Sequence, residues 1–145
     1  MKILLDTNIL VHAHNKSSPH REKASNIIRR AIRGEFNACL TSQVLYEFFA
    51  VITNPKRVEK PLTTDDAADV CKDFLDCQEI EKMNPTLLVT SQVFRFAREL
   101  KLSRSKVFDC VLAITAKENG IDVIYTENVD DFKNYGFLKP ANPLI

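Results

Sequence analysis

Long hydrophobic runs are missing from this 145-residue chain. Met1 leads into a few apolar residues that Asp6 closes, too short a segment for the core of a secretory signal and far too short for a membrane span. The expectation is a cytoplasmic protein with no membrane partner. A dominant charge is missing too: 20 Lys and Arg stand against 19 Asp and Glu, for a formal net charge of +1. Overall charge therefore argues neither for nor against a nucleic-acid partner; only local basic patches can. The cysteines, Cys39, Cys71, Cys77 and Cys110, include no Cys-x-x-Cys pair and fall in apolar or helical stretches. They read as reduced core residues rather than a zinc site or a disulfide framework. No metal-ligand spacing joins the histidines. His12 and His14 stand two apart, which on a helix sets them on different faces, and His20 follows Pro19 near a helix start. Surface or capping roles are expected for all three. Repeats, low-complexity tracts and interdomain linkers are absent as well, so residues 1–145 read as one domain able to bury a core.

What the chain does have is an alternation of short β-like runs with longer helical ones. Lys2 to Leu5 predicts a strand, apolar on both faces. Pro19 to Arg33 predicts a helix with Ala24, Ile27, Ile28, Ala31 and Ile32 on one stripe, stopped by Gly34. Phe36 to Leu40 predicts a second strand. Thr41 or Ser42 then caps a helix carrying Val44, Leu45, Phe48, Phe49, Val51 and Ile52, which ends before Pro55. A polar, proline-marked loop from Asn54 to Pro61 leads to a helix opened by Thr64, Asp65 and Asp66. Ile80 to Met83 predicts a third strand, Thr86 to about Leu100 a helix, and Ser103 or Ser105 to Gly120 another. Ile121 to Tyr125 is the clearest late strand. The expected fold class is α/β: a three-layer α/β/α domain around a central, mainly parallel sheet.

Three carboxylates interrupt strongly apolar surroundings. Asp6 closes Ile3-Leu4-Leu5, Glu47 lies within Val44 to Ile52, and Asp109 lies within Val107 to Ile114. A buried carboxylate costs several kcal/mol, roughly, unless it is paired, protonated or metal-bound. Singly, Asp6 reads as a helix cap, Glu47 as a solvent-facing residue and Asp131 as a turn residue before Phe132, whereas Asp109 resists any such account. Jointly, with Asp130 and Asp131, they point to one acidic pocket. In open parallel sheets ligands gather beyond the carboxyl ends of the strands, where the strand order reverses. Asp6 closes the first strand and Thr126 to Asp131 follows the last, while Glu47 and Asp109 are expected in the first turns of their helices, on the same rim. Oxygen ligands without histidine or cysteine suit Mg²⁺ or Mn²⁺ rather than zinc. Such an ion admits a phosphate, activates a water and stabilises the leaving oxygen, which is the chemistry of phosphodiester hydrolysis.

The same residues carry a family resemblance. The motifs are Leu5-Asp6-Thr7-Asn8 after the first strand, Ser42-x-x-x-x-Glu47 on a helix, Phe108-Asp109-Cys110-Val111-Leu112-Ala113 on a late helix, and Thr126-x-Asn128-x-x-Asp131-Phe132 after the last strand. In order, spacing and length they resemble the PIN domain, the metal-dependent ribonuclease fold, and particularly the toxins of VapBC-type toxin–antitoxin pairs. The resemblance implies an endoribonuclease that hydrolyses RNA with Mg²⁺ or Mn²⁺ and leaves 5′-phosphate and 3′-hydroxyl ends. It implies a homodimer, and a cognate antitoxin whose peptide covers the acidic groove. It also implies that Asp6 and Asp109 are the principal metal ligands, and that Glu47 is the third acid, holding the attacking water or acting as its base. In many members the position of Asn128 is an aspartate that completes a tetrad. Here it is neutral, so Asp131, or failing that Asp130, is expected to supply the fourth charge and ligand. Asn8, Thr126 and Asn128 correspond to polar residues that orient the acids.

Basic clusters supply places for a polyanion. Arg95, Arg98, Lys101, Arg104 and Lys106, with only Glu99 among them, lead directly to Asp109; Arg29, Arg30 and Arg33 form a second cluster, and Lys56, Arg57 and Lys60 a third. Each is either a solvated face or a patch that neutralises backbone phosphates. Arg95 and Arg98, one helical turn apart, are the candidates for substrate contact. The alternatives are a housekeeping RNA-processing nuclease of the same fold, an RNA-binding domain whose centre has decayed at Asn128, and a phosphotransferase with Asp6 as nucleophile. The last is disfavoured because Asp6-Thr7-Asn8 lacks the Asp-x-Asp such chemistry uses.

Overall fold

The first strand, β1 (Lys2–Leu5), lies in the middle of the sheet, and this placement sets the position of everything functional. The computed structural model describes residues 1–145. After β1 come α1 (Thr7–His14), α2 (Arg21–Ile32), β2 (Asn37–Thr41), α3 (Ser42–Ile52) and α4 (Thr64–Asp76). Then follow β3 (Glu81–Met83), α5 (Leu87–Leu100), α6 (Lys106–Glu118), β4 (Val123–Tyr125), a 3-10 turn (Val129–Phe132) and β5 (Lys139–Ala141). The strand order is β3-β2-β1-β4-β5, with every neighbouring pair parallel. Leu4 of β1 registers with Cys39 on one side and Ile124 on the other. A central parallel strand is covered on both faces, which is why Ile3, Leu4 and Leu5 run on without polar alternation.

From β1 the chain steps outward through α1 and α2 to β2, and through α3 and α4 to β3. It then returns through α5 and α6 to β4 and β5 on the far side of β1. With right-handed crossovers, this reversal puts the first four helices on one face and the last two on the other. The packing agrees: α1 lies against α2 and α3, α3 against α4, and α5 against α6. Leu4, Leu5, Leu40 and Ile124 of the sheet form one continuous core with Ile9, Leu10, Phe48 and Ile52 on one side and Ile114 on the other. All four cysteines are free, with Cys39 and Cys110 buried in that core. No helix is long and apolar enough to cross a membrane.

Two elements were not expected from the sequence. Helix α1 spans only Thr7–His14 and includes Thr, Asn, Val and His, all weak helix formers, so local propensity conceals it. It is held from outside, by its Asp6 cap and by packing on α2 and α3. Strand β5 is Lys-Pro-Ala, and Pro140 is tolerated because β5 is an edge, where an absent N–H breaks no ladder. Gly34 ends α2 with φ +71°, the left-handed turn that glycine takes without a Cβ clash.

One defect in the core gives a test of packing. The Thr115 hydroxyl in α6 is buried without a partner. Replacing it by a methyl of the same shape, Thr115→Val, should stabilise the chain by about 1 kcal/mol. At this length that is a rise in Tm of about 2–4 °C, measured by thermal denaturation.

Candidate active site

The carboxyl ends of β1 and β4 lie side by side at the reversal of strand order, with the Asp6 amide donating to the Tyr125 carbonyl at 3.0 Å. Asp6 and Thr126 therefore leave the sheet together. Asp6 is only 7% exposed and Thr126 is wholly buried. The Asp6 carboxylate accepts from the Thr7 amide (2.8 Å), the Thr126 hydroxyl (2.7 Å) and the Asn8 side-chain amide (3.3 Å). Thr126 cannot turn its proton elsewhere, because the Asn128 amide donates to the same hydroxyl at 3.0 Å. Asn8 is fixed likewise: its oxygen accepts from the Glu127 amide at 2.9 Å, which aims its nitrogen at Asp6 and Thr126. Burial pushes the Asp6 carboxyl above its ordinary pKa. The Thr126 and Thr7 hydrogen bonds pull it back, Glu47 raises it and Asn8 lowers it again.

The helices deliver the other acids. Thr41 caps α3, its hydroxyl accepting from the Val44 amide, and the apolar stripe Val44, Leu45, Phe48, Ile52 turns into the core. That roll leaves Glu47 half-buried at the edge of the stripe, in the second turn of α3 rather than the expected first. Its two oxygens accept from the Thr7 hydroxyl and the Gln43 amide, both at 2.9 Å. Gln43 also donates to the Phe108 carbonyl at 3.3 Å, joining α3 to the start of α6. Asp109 lies in the first turn of α6, a helix buried on most sides. Its pKa is pushed up to about 6, first by burial and then by the negative charges of Asp131, Asp6 and Glu47, with Lys106 opposing. The four acids thus share one electrostatic field.

A cleft of about 660 Å³ collects them: Asp6, Glu47, Asp109 and Asp131 line it, with Thr7, Asn8 and Asn128. Asp130 is outside that lining and pairs with Lys133 at 2.5 Å. No three Asp, Glu, His or Cys side chains close on one point as a ready-made metal centre. The donor chemistry nevertheless fits a hard divalent ion. It is oxygen-rich, its mutual repulsion is relieved by positive charge, and an ion that keeps several waters needs few direct carboxylates.

Other residues enter the cleft without a sequence expectation. Thr7 is one and holds Glu47, which Gln43 also holds from outside the lining. Arg57, named only as part of a basic cluster, lines the cleft. His12 lines it too, bonded to Glu127 (3.0 Å) and Ser18 (2.6 Å). His14 instead packs against Phe48 and Phe74, so the two histidines do take different faces. The signal for His12 was its i,i+4 relation to Asn8, readable only once α1 is known to be a helix. Arg95 and Arg98 are exposed on α5 and are not among the residues lining the cleft.

Known proteins match this arrangement along its length. A PIN domain family model matches residues 3–138. Ribonuclease VapC24 of Mycobacterium tuberculosis is 30% identical over 141 residues, covering 97% of this chain and 95% of the relative. Among solved structures, Mycobacterium tuberculosis VapC20, a Sarcin-Ricin loop cleaving toxin, superposes with a TM-score of 0.68 at 16% identity, over 94% of this chain and 97% of that one. VapBC2 from Rickettsia felis, bound to a DNA fragment from its promoter, gives a TM-score of 0.67 at 20% identity over 98% of each chain.

The raised Asp109 pKa has a signed consequence for stability. The folded value of about 6 exceeds the unfolded value of roughly 3.9, so the native state holds this proton more tightly. Stability from this group is present below about pH 4 and is lost as pH rises through about 6. In EDTA, Asp109→Asn should therefore raise Tm by a few degrees at about pH 7.5 and leave it unchanged near about pH 4. Thermal melts at both pH values check this; an equal gain at both would assign the effect to packing instead of charge.

Proposed function

Because this chain belongs to the PIN-domain family, we propose that it is a metal-dependent endoribonuclease, the toxin of a toxin–antitoxin pair acting in the cytoplasm. The observation that carries this reading is the meeting of Asp6, Glu47, Asp109 and Asp131 in one cleft at the switch point of the sheet. Asp6 and Asp109 would hold Mg²⁺ or Mn²⁺, with Asp131 supplying the fourth charge in the place of the neutral Asn128. When bound, the ion polarises water and phosphate and offsets charge on the leaving oxygen. Glu47, fixed by Thr7 and Gln43, orients the attacking water and takes its proton. Attack at phosphorus breaks the bond to the 3′ oxygen and leaves 5′-phosphate and 3′-hydroxyl ends. Asn8 and Thr126 keep the Asp6 oxygens turned to the cleft, and Asn128 completes that turn through its backbone.

A phosphotransferase fits less well. Both Asp6 oxygens are engaged by donors, which suits a ligand better than a nucleophile. The toxin role and the antitoxin partner are supported by likeness to VapC ribonucleases and VapBC complexes. The antitoxin would lay a peptide over the acidic cleft. We further propose that the chain is a homodimer and that RNA is its substrate.

Purified protein should cut a labelled structured RNA with Mg²⁺ or Mn²⁺ and leave it intact in EDTA, and Asp109→Asn should abolish the cutting. Thr126→Val, which keeps the shape but removes the donor to Asp6, should cost about 10–100-fold in activity. Gel analysis of products reads both outcomes. Intact RNA with either ion would overturn the nuclease reading, and cutting by Asp109→Asn would move the centre elsewhere.

A further inference from the structure

A second, smaller cavity of about 130 Å³ adjoins the cleft and shares two of its walls, Asp109 and Asp131. Its far side carries Lys101 and Lys106. The cleft on the other side of those acids carries Arg57. Positive charge therefore flanks the acidic centre on two sides, from the loop after α3 and from the junction of α5 and α6. We infer that Lys101 and Lys106 form a phosphate subsite, which seats a backbone phosphate of the RNA strand next to the one being cleaved. This inference rests on the nuclease reading and names where its substrate continues beyond the acids.

The backbone of the α5–α6 junction supports it. Lys101 has φ 56° and ψ 42°, and Arg104 has φ 56°; no other non-glycine residues of the chain have positive φ. Positions of this kind favour glycine, yet long cationic side chains occupy both, and strain of this sort gathers at functional sites. The turn is locked in place, since the Lys101 and Leu102 amides both donate to the Ala97 carbonyl. Lys106, the first residue of α6, stands three residues before Asp109 on the same first turn and lines the same cavity.

Charge also bears on how a phosphate binds. Asp130, on the same cavity, is already paired with Lys133, which leaves two lysines against Asp109 and Asp131. A cation held by the two acids would offset their negative charge, so that a phosphate would meet the lysines without that repulsion.

The test compares wild type with Lys101→Gly, Lys101→Asn, Lys106→Gln and a control, Lys139→Gln. Lys139 opens β5, at the end of the sheet away from the acidic rim. Cleavage of a short single-stranded RNA in Mg²⁺ is followed at several salt concentrations. Lys101→Gly should raise KM about fivefold to tenfold with kcat within about twofold, and flatten the log–log salt dependence by about 0.7, the value of one lost phosphate contact. Its Tm should be equal to or above that of wild type, because glycine relaxes φ 56°. A purely structural role for Lys101 would instead lower Tm and kcat together. Lys101→Asn, which tolerates the same backbone, should reproduce the KM effect.

An unchanged KM, or an equal rise in Lys139→Gln, overturns the subsite. RNA binding by fluorescence anisotropy in Ca²⁺ separates this inference from the reading beneath it. If wild type cuts no RNA, the nuclease reading fails; weaker RNA binding by Lys101→Gly alone would still uphold the subsite, and equal binding would end it. Competition by inorganic phosphate that disappears in Lys101→Gly while RNA affinity holds would assign the cavity to free phosphate, and would overturn its role on the strand.

Discussion

Carboxylates of like charge resist being brought together, and the architecture around β1 exists under that constraint. Asp6 and Glu47 are each held by donors that the fold supplies at fixed positions: two hydroxyls, two side-chain amides and one backbone N–H. Asp109 has no such donors, and its proton is retained to about pH 6, first because the carboxyl is buried and then because Asp131, Asp6 and Glu47 face it. The cleft is thus negative and incompletely neutralised, a condition that a divalent ion removes more effectively than any side chain within reach.

The donors are not separable from the fold. Asp6 caps α1, and α1 presents Thr7 to Glu47 and Asn8 to the loop after β4. A residue that reads as an ordinary helix cap and a residue that reads as a ligand are here the same carboxylate. Removing the cap would loosen α1, and with it the donors that hold Glu47 and the Thr126 loop. For this reason activity and local stability do not divide cleanly among these positions.

Much of this was legible in the sequence, for definite reasons. The acids stand out because apolar neighbours surround them, and alternation of strand and helix implies a parallel sheet, which assigns Asp6 and Thr126 to the same rim. What stayed hidden depends on tertiary context. Helix α1 lacks propensity, and without it His12 cannot be seen to share a face with Asn8. Strand β5 carries a proline that argues against a strand unless the edge is already known. The basic stretch from Arg95 to Lys106 is one run in the chain, but the turn at Lys101 divides it: Arg95 and Arg98 stay on the exposed face of α5, while Lys101 and Lys106 line a cavity with Asp109 and Asp131.

The central position of β1 has a consequence in time. Its second neighbour, β4, is made long after it, and the Asp6–Thr126 hydrogen bond spans 120 residues. Until that strand leaves the ribosome, β1 is an edge and the cleft lacks Thr126, Asn128 and Asp131. A chain still being made on the machine that reads RNA is therefore without the complete acidic cleft until β4 and the turn after it have emerged.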